Sequence, residues 1–283
     1  MLRSILIGID GSDSDIAVEE LGIRWARRFG ARLTGIAIVD DLGIQFTDDG
    51  LIDKMVREPA VTSLVAEIVG PPRTALRAFS TRCDDAGVEA LALEANGSPH
   101  TEILREAQRH DLILLGSRSH FEYGWEGLPG QTLGLVLKDC SRPVVAVPES
   151  LRNPMPEPTV MQPILIAYDG SLQASRTLSA FQASGLGWSR PVHVVSIDPD
   201  PVKANRLADR AVDFLRFHDL EVFSHPEATA RPSAEVLLEK VQILDAELLV
   251  MGAYGQPTLR EFFIGSVTRI VLEKSPVPVF CYH

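Results

Sequence analysis

The chain has 283 residues, 45% of them hydrophobic and 23% charged, with room for two domains of ordinary size and the balance of a globular protein. A formal net charge of −11 argues against nonspecific DNA or RNA binding, which needs a basic face, and no apolar run approaches the length of a membrane span. Three cysteines, Cys83, Cys140 and Cys281, lie far apart, which argues against a disulfide framework or a zinc site and suits a reducing cytoplasm.

The opening residues lead into an apolar run that meets Asp10 almost at once, too short for a signal peptide and without a cleavage site. Ile5 to Ile9 reads as a strand covered on both faces. Ser12 or Ser14 caps a helix in which Val18, Leu21, Trp25 and Phe29 recur at helical spacing, and Gly30 ends it. Leu33 to Val39 is a second strand. Asp40 to Pro59 is a long acidic loop, either a regulatory or partner surface or a solvated insertion. Thr62 to Gly87 is helical with a break at Gly70-Pro71-Pro72. Then come a strand at Val88 to Glu94, a helix at Thr101 to Arg109 and a strand at Leu112 to Leu115. A loop carrying Tyr123 and Trp125, a helix from Thr132 to Asp139 and a strand at Val144 to Val147 close the first unit. A polar stretch with Pro154, Pro156 and Pro158 follows and reads as a semi-rigid linker.

Beyond it the pattern starts again. Ile5-Leu6-Ile7-Gly8-Ile9-Asp10-Gly11-Ser12 recurs as Ile164-Leu165-Ile166-Ala167-Tyr168-Asp169-Gly170-Ser171. Helices are expected at Lys203 to Phe217 and Ser233 to Leu244, a strand at Leu248 to Met251, and a helix up to Lys274. A valine strand led by Pro276 and Pro278 closes the copy, as Pro143 leads the first. The organisation is therefore a first domain over 1–150, a linker over 151–162 and a second domain over 163–283. Alternating strands and helices imply α/β units with parallel sheets, right-handed crossovers and helices on both faces. Ligands of such sheets bind beyond the carboxyl ends of the strands.

One stretch carries the chemistry. Gly252-Ala253-Tyr254-Gly255, nine residues, then Gly265-Ser266-Val267-Thr268 stands between a strand and a helix start. Glycines let backbone approach an anion, helix-start amides donate to it, and Ser266 and Thr268 add hydroxyls. A tight turn with an ordinary serine cap has the same local signature. Asp169-Gly170-Ser171 offers a carboxylate for a ribose hydroxyl or an adenine edge; equally, Asp and Ser start a helix and Gly makes the turn. Ile197 and Val195 could face a flat base or belong to the core. Arg260, Phe262 and Phe263 lie in the loop, as steering and closing groups or as a solvated charge and anchoring aromatics.

Both halves resemble the universal stress protein domain, and the whole resembles a tandem member of that family. The two Asp-Gly-Ser strand ends, the spacing from Gly252 to Ser266 and the closing Ser275-Pro276-Val277-Pro278-Val279 carry the resemblance over nearly the full chain. It implies a Rossmann-like five-stranded α/β fold in each half. The last strands of the halves would pair across a pseudo-twofold axis, an intramolecular pseudo-dimer open to further homodimerisation. The prolines before those strands fit an edge strand. It implies ATP, with Mg as its usual companion, bound in the second half. There Asp169 and the end of strand two at Ile197 would face adenosine, and Gly252, Gly255, Gly265 and Ser266 the phosphates, with Gly170, Ser171, Val267 and Thr268 also in the nucleotide site. The first half keeps Asp10, Gly116, Gly130 and Thr132, but Ser119 stands at a glycine position and Gln131 replaces a hydroxyl residue, with one extra residue in the loop. Ser119 would strain a left-handed backbone, so a weakened or lost site is expected there. With no Walker A and no Ser/His/Asp arrangement, regulation or protein-partner binding in the cytoplasm is expected over catalysis. A slow ATPase with Mg on Asp169 or Asp198, and a nucleotide-free scaffold, are the competing readings. No nucleic acid or membrane partner is expected.

Overall fold

The computed structural model describes residues 1–12, 14–39, 59–119, 121, 131–151, 161–253 and 265–283. In the first half β1 (Ser4–Ile9), α1 (Asp15–Phe29), β2 (Arg32–Val39), α2 (Pro59–Asp85), β3 (Ala90–Asn96), α3 (Pro99–Ala107), β4 (Leu112–Gly116), α4 (Gln131–Asp139) and β5 (Val144–Val147) follow one another. The second half repeats them as β6 (Ile164–Ala167), α5 (Leu172–Ser184), β7 (Val192–Asp198), α6 (Pro201–Arg216), β8 (Val222–Ala228), α7 (Ser233–Ile243), β9 (Leu248–Gly252), α8 (Ser266–Lys274) and β10 (Val279–Tyr282). The acidic loop over 40–58 and most of the linker lie outside the described residues. No helix among the described residues is long and apolar enough to cross a membrane.

Among the described residues ten strands form one sheet in the order β3-β2-β1-β4-β5-β10-β9-β6-β7-β8. Within each half every pairing is parallel, as in β1 with β4 and β6 with β9. The central strands read as unbroken apolar runs because both faces are covered. One apolar layer joins Leu21 and Trp25 of α1, Phe79 of α2, Phe181 of α5 and Leu215 of α6 beneath the sheet. The other joins Ile103 of α3, Val136 of α4, Leu237 of α7 and Val271 of α8 above it.

The halves meet at an antiparallel pairing of β5 with β10, in which Phe280 faces Val145. Phe280 is fully buried and lies edge-on to Phe181, ring centroids 6.1 Å apart. The chain start adds to the contact: the amide of Leu2 donates to the Ser184 carbonyl at 3.0 Å, and Arg28 donates to the Trp188 carbonyl.

Two expectations are corrected. The helix over Gly70-Pro71-Pro72 is unbroken, because a proline forfeits the bond its own nitrogen would donate while its fixed φ remains helical. The closing strands are central rather than at an edge, and they begin one residue after Pro143 and Pro278. Each proline supplies what it still has, its carbonyl, to the neighbouring strand: Ile113 donates to Pro143 and Leu249 to Pro278, both at 3.0 Å.

Phe280→Ala removes the ring at the seam and leaves a cavity between two packed layers. The expected loss is about 3–5 kcal/mol of unfolding free energy, read by denaturant titration beside the parent chain.

Candidate functional site

At the carboxyl ends of β6, β7 and β9 the second half opens a cavity of about 290 Å³. Its apolar wall comes from Ala167, Val195, Ile197 and Met251, strand residues whose side chains face the α7 side, with Leu237 of α7 above them. Its polar rim comes from two helix starts, Asp169 and Ser171 before α5 and Gly265 to Thr268 at α8.

The turn after β6 is held from within. Gly170 takes φ of +78°, a conformation that only glycine adopts without strain. Asp169 Oδ1 accepts from the amide of Ser171 at 2.9 Å, and Ser171 Oγ accepts from the amide of Ala174 at 3.1 Å, capping α5. Ser196 Oγ donates to the Tyr168 carbonyl at 2.7 Å, tying the turn to β7. The start of α8 is different. Its cap residue, Gly265, has no side chain to accept from the first-turn amides, so those donors and the positive end of the helix dipole face the cavity. Gly252 brings β9 against α5: a Cβ there would stand 2.8 Å from the Ala174 nitrogen.

Of the residues singled out in the sequence, Asp169, Ser171, Ile197, Gly252, Gly265, Ser266, Val267 and Thr268 share this one cavity. Gly170 shapes the turn without lining it, and the space at its missing Cβ faces Leu207. Gly255, with Arg260, Phe262 and Phe263, lies outside the described residues. Sequence reasoning missed Ala167, Tyr168, Ala174, Ser233, Leu237 and Met251. The alternation that puts Met251 on the face of Leu249 was a usable signal for one of them. Ser233 and Leu237 arrive on a crossover helix and carry no local mark. Asp198 is drawn off elsewhere: Lys203 Nζ lies 2.6 Å from it and, by hydrogen bonding, holds its carboxyl below the usual range.

The first half builds the same corner differently. Asp10 is buried, and its Oδ1 accepts from the Ser12 amide at 2.8 Å. Asp15, at the first position of α1, turns its carboxylate back to accept from the amides of Asp10 at 3.2 Å and Gly11 at 2.8 Å. Ser12 and Ser14 share a hydrogen bond at 2.6 Å. Over Gly116, where a Cβ would meet them, lie Ser119 Oγ at 2.7 Å and Ser14 Oγ at 3.2 Å. Thr132 is buried in the first turn of α4, and Gly130 lies outside the described residues. Among the described residues the non-glycine residues at positive φ are Ser189, Asp219 and Asp245, and Ser119 is not one of them. The serine therefore adds a hydroxyl to the corner rather than straining a left-handed backbone.

Burial, and after it the Asp10 carboxylate, push the Asp15 carboxyl up to about 8. The folded chain thus holds a proton that the unfolded chain releases in the ordinary carboxylate range. That contribution to stability is full below the unfolded value and is lost as pH climbs to about 8. Melting curves from about pH 5 to about pH 8.5 should show a decline in the parent chain that is shallower in Asp15→Asn. At the other corner, Gly252→Ala should lower stability by about 1–3 kcal/mol, measured by the same melts, because backbone rather than a movable side chain stands in the way.

The sequence profile of the universal stress protein family matches residues 1–148 and 161–283. Universal stress protein Slr1230 of Synechocystis is 26% identical over 178 residues, 61% of this chain and 58% of that protein. The chain thus spans less than two thirds of that relative's length. Among solved structures, a universal stress protein of Archaeoglobus fulgidus superposes with a TM-score of 0.69 at 21% identity, covering 99% of this chain and 96% of that one. A putative universal stress protein of Pseudomonas aeruginosa superposes with a TM-score of 0.57 at 17% identity, covering 99% and 93%. With the family profile matched twice along it, the chain belongs to the universal stress protein family.

Proposed function

We propose that the second half binds an adenine nucleotide, ATP with Mg as the leading candidate, and that the protein acts in the cytoplasm by regulation or partner binding rather than by catalysis. The observation that carries this reading is the meeting of an apolar slot with an uncapped helix start in one cavity. Val195, Ile197, Met251 and Leu237 present flat, dry surface suited to a base. Asp169 lines the rim, where its carboxylate would meet a ribose hydroxyl while its Oδ1 serves the turn. The first amides of α8, with Ser266 and Thr268, then receive the phosphates.

Regulation is favoured over catalysis by what lines the slot. The ionisable side chains among its described lining residues are Asp169 and Tyr168, and the Tyr168 hydroxyl is shared with Ser175 at 3.1 Å. A general base needs a proton to take and a partner to orient it, and Asp169 has the geometry of a turn-holding carboxylate. Binding of a nucleotide would bias which surface the second half presents to a partner. The three cysteines are unpaired and buried, as a reducing compartment keeps them.

Calorimetric titration of nucleotide-stripped protein with Mg-ATP, beside Gly265→Val, tests the assignment. Gly265 has φ −52° and ψ 144°, which valine adopts, and among the described residues its Cβ would meet only Thr268 Oγ1, at 3.9 Å. The variant should keep its fold and melting temperature while its branched side chain fills the phosphate approach. A stoichiometry near one in the parent, with affinity reduced at least about tenfold in the variant, about 1.4 kcal/mol, is the expected result. Unchanged affinity in a folded Gly265→Val chain would remove the site from this cavity.

A further inference from the structure

The strand registers allow the two halves to be compared position by position. Ile5 pairs with Leu112 as Ile164 pairs with Leu248, so Gly8 stands where Ala167 does and Leu115 where Met251 does. Gly8 pairs with Ile36 as Ala167 pairs with Val195, which puts Ile36 in the place of Val195 and Ile38 in the place of Ile197. The apolar wall of the second-half cavity thus has a full counterpart in the first half.

That counterpart is occupied. Phe121, five residues beyond the end of β4, has none of its surface exposed. It belongs to one apolar cluster with Ile36, Ile38 and Leu115. Its ring reaches the strand itself: a Cβ on Gly8 would meet Leu115 Cδ2 first and then Phe121 Cζ at 2.9 Å. The missing side chain at Gly8 leaves room for the Leu115 and Phe121 side chains together, where the second half carries the Cβ of Ala167. A phenyl ring is a flat apolar body of the kind that the second-half slot is read as accepting.

We infer that Phe121 is a built-in occupant of the first half's base pocket, the residue that decides which of two homologous pockets is open to a ligand. The inference rests on reading the second-half cavity as a purine pocket. It goes further in one respect: the first half is held permanently in the filled state by its own side chain, and ligand alters only the second half. Ser119 and Ser14 close over Gly116, the counterpart of Gly252, and narrow the room beyond the base. The reopened pocket should therefore take a neutral nucleoside rather than a nucleotide.

Phe121→Ala tests this, because an apolar cavity left by a deleted side chain stays dry and accepts an aromatic body of matching size. The probe is adenosine, titrated calorimetrically into the parent and the variant after circular dichroism has shown both to be folded. The expected result is one more equivalent bound by the variant than by the parent. If the parent binds one and the folded variant still binds one, the inference falls. It falls equally if the parent already binds two, since the first pocket would then be open. If the parent binds none, the nucleotide reading of the second half is in question, and a gain of one in the variant still supports the plug while no gain overturns it. Should Phe121→Ala not fold, Phe121→Leu shortens the ring while keeping apolar contact, and the same gain or its absence decides the matter.

Discussion

The antiparallel pairing of β5 with β10 is the constraint on which the rest of the molecule depends. All other pairings are parallel, so within each half the carboxyl ends of the strands point one way. Joining the halves through one antiparallel step reverses that direction across the seam. The two strand-end corners therefore open on opposite sides of the sheet's long axis, separate from each other. Each half can keep or lose a site without disturbing its twin. The seam also removes two edges that would otherwise offer unpaired backbone, and it buries Phe280 against Phe181 of α5 on one face of the sheet.

Helix starts then account for the chemical asymmetry. Four amides are left unbonded at the beginning of any helix, and what satisfies them decides what the corner can hold. At α5 the hydroxyl of Ser171 caps one of them. In the first half a carboxyl does the work at the start of α1, with Asp15 serving the amides before it. Ser119 and Ser14 close the space over Gly116 there. At α8 the cap is a glycine, with no side-chain cap among the described residues.

Among the described carboxyls, burial raises Asp15 and Glu19, both in the first half. Asp15 is pushed up mainly by its surroundings and next by Asp10, while Glu19, one turn further along α1, is raised to about 7 by burial against the opposing pull of Arg82. Both face the interior between α1 and its neighbours rather than an open cavity. They tie the stability of the filled half to pH, whereas the open half carries its one rim carboxylate, Asp169, at the surface.

Much of this was legible in the chain. Continuous apolar runs at Ile5 to Ile9 and Leu248 to Met251 required strands covered on both faces. The repeat of Asp-Gly-Ser required two copies of one unit, and the glycine spacing from Gly252 to Gly265 located the open corner. Turn and cap chemistry at Gly30, Gly170 and Ser171 could be read from neighbours in sequence because those bonds are made over a few residues. Prolines misled where their cost is local and the surrounding helix or sheet absorbs it, at Pro71 and Pro278. What the sequence by itself determined was the number of units, their alternation and the backbone positions that only glycine can hold. Only the tertiary structure decided that Leu237 and Met251 wall one cavity while Phe121 fills the other. Periodicity and spacing are properties of contiguous chain, whereas the contents of a cavity depend on side chains brought together from strands and helices remote from one another.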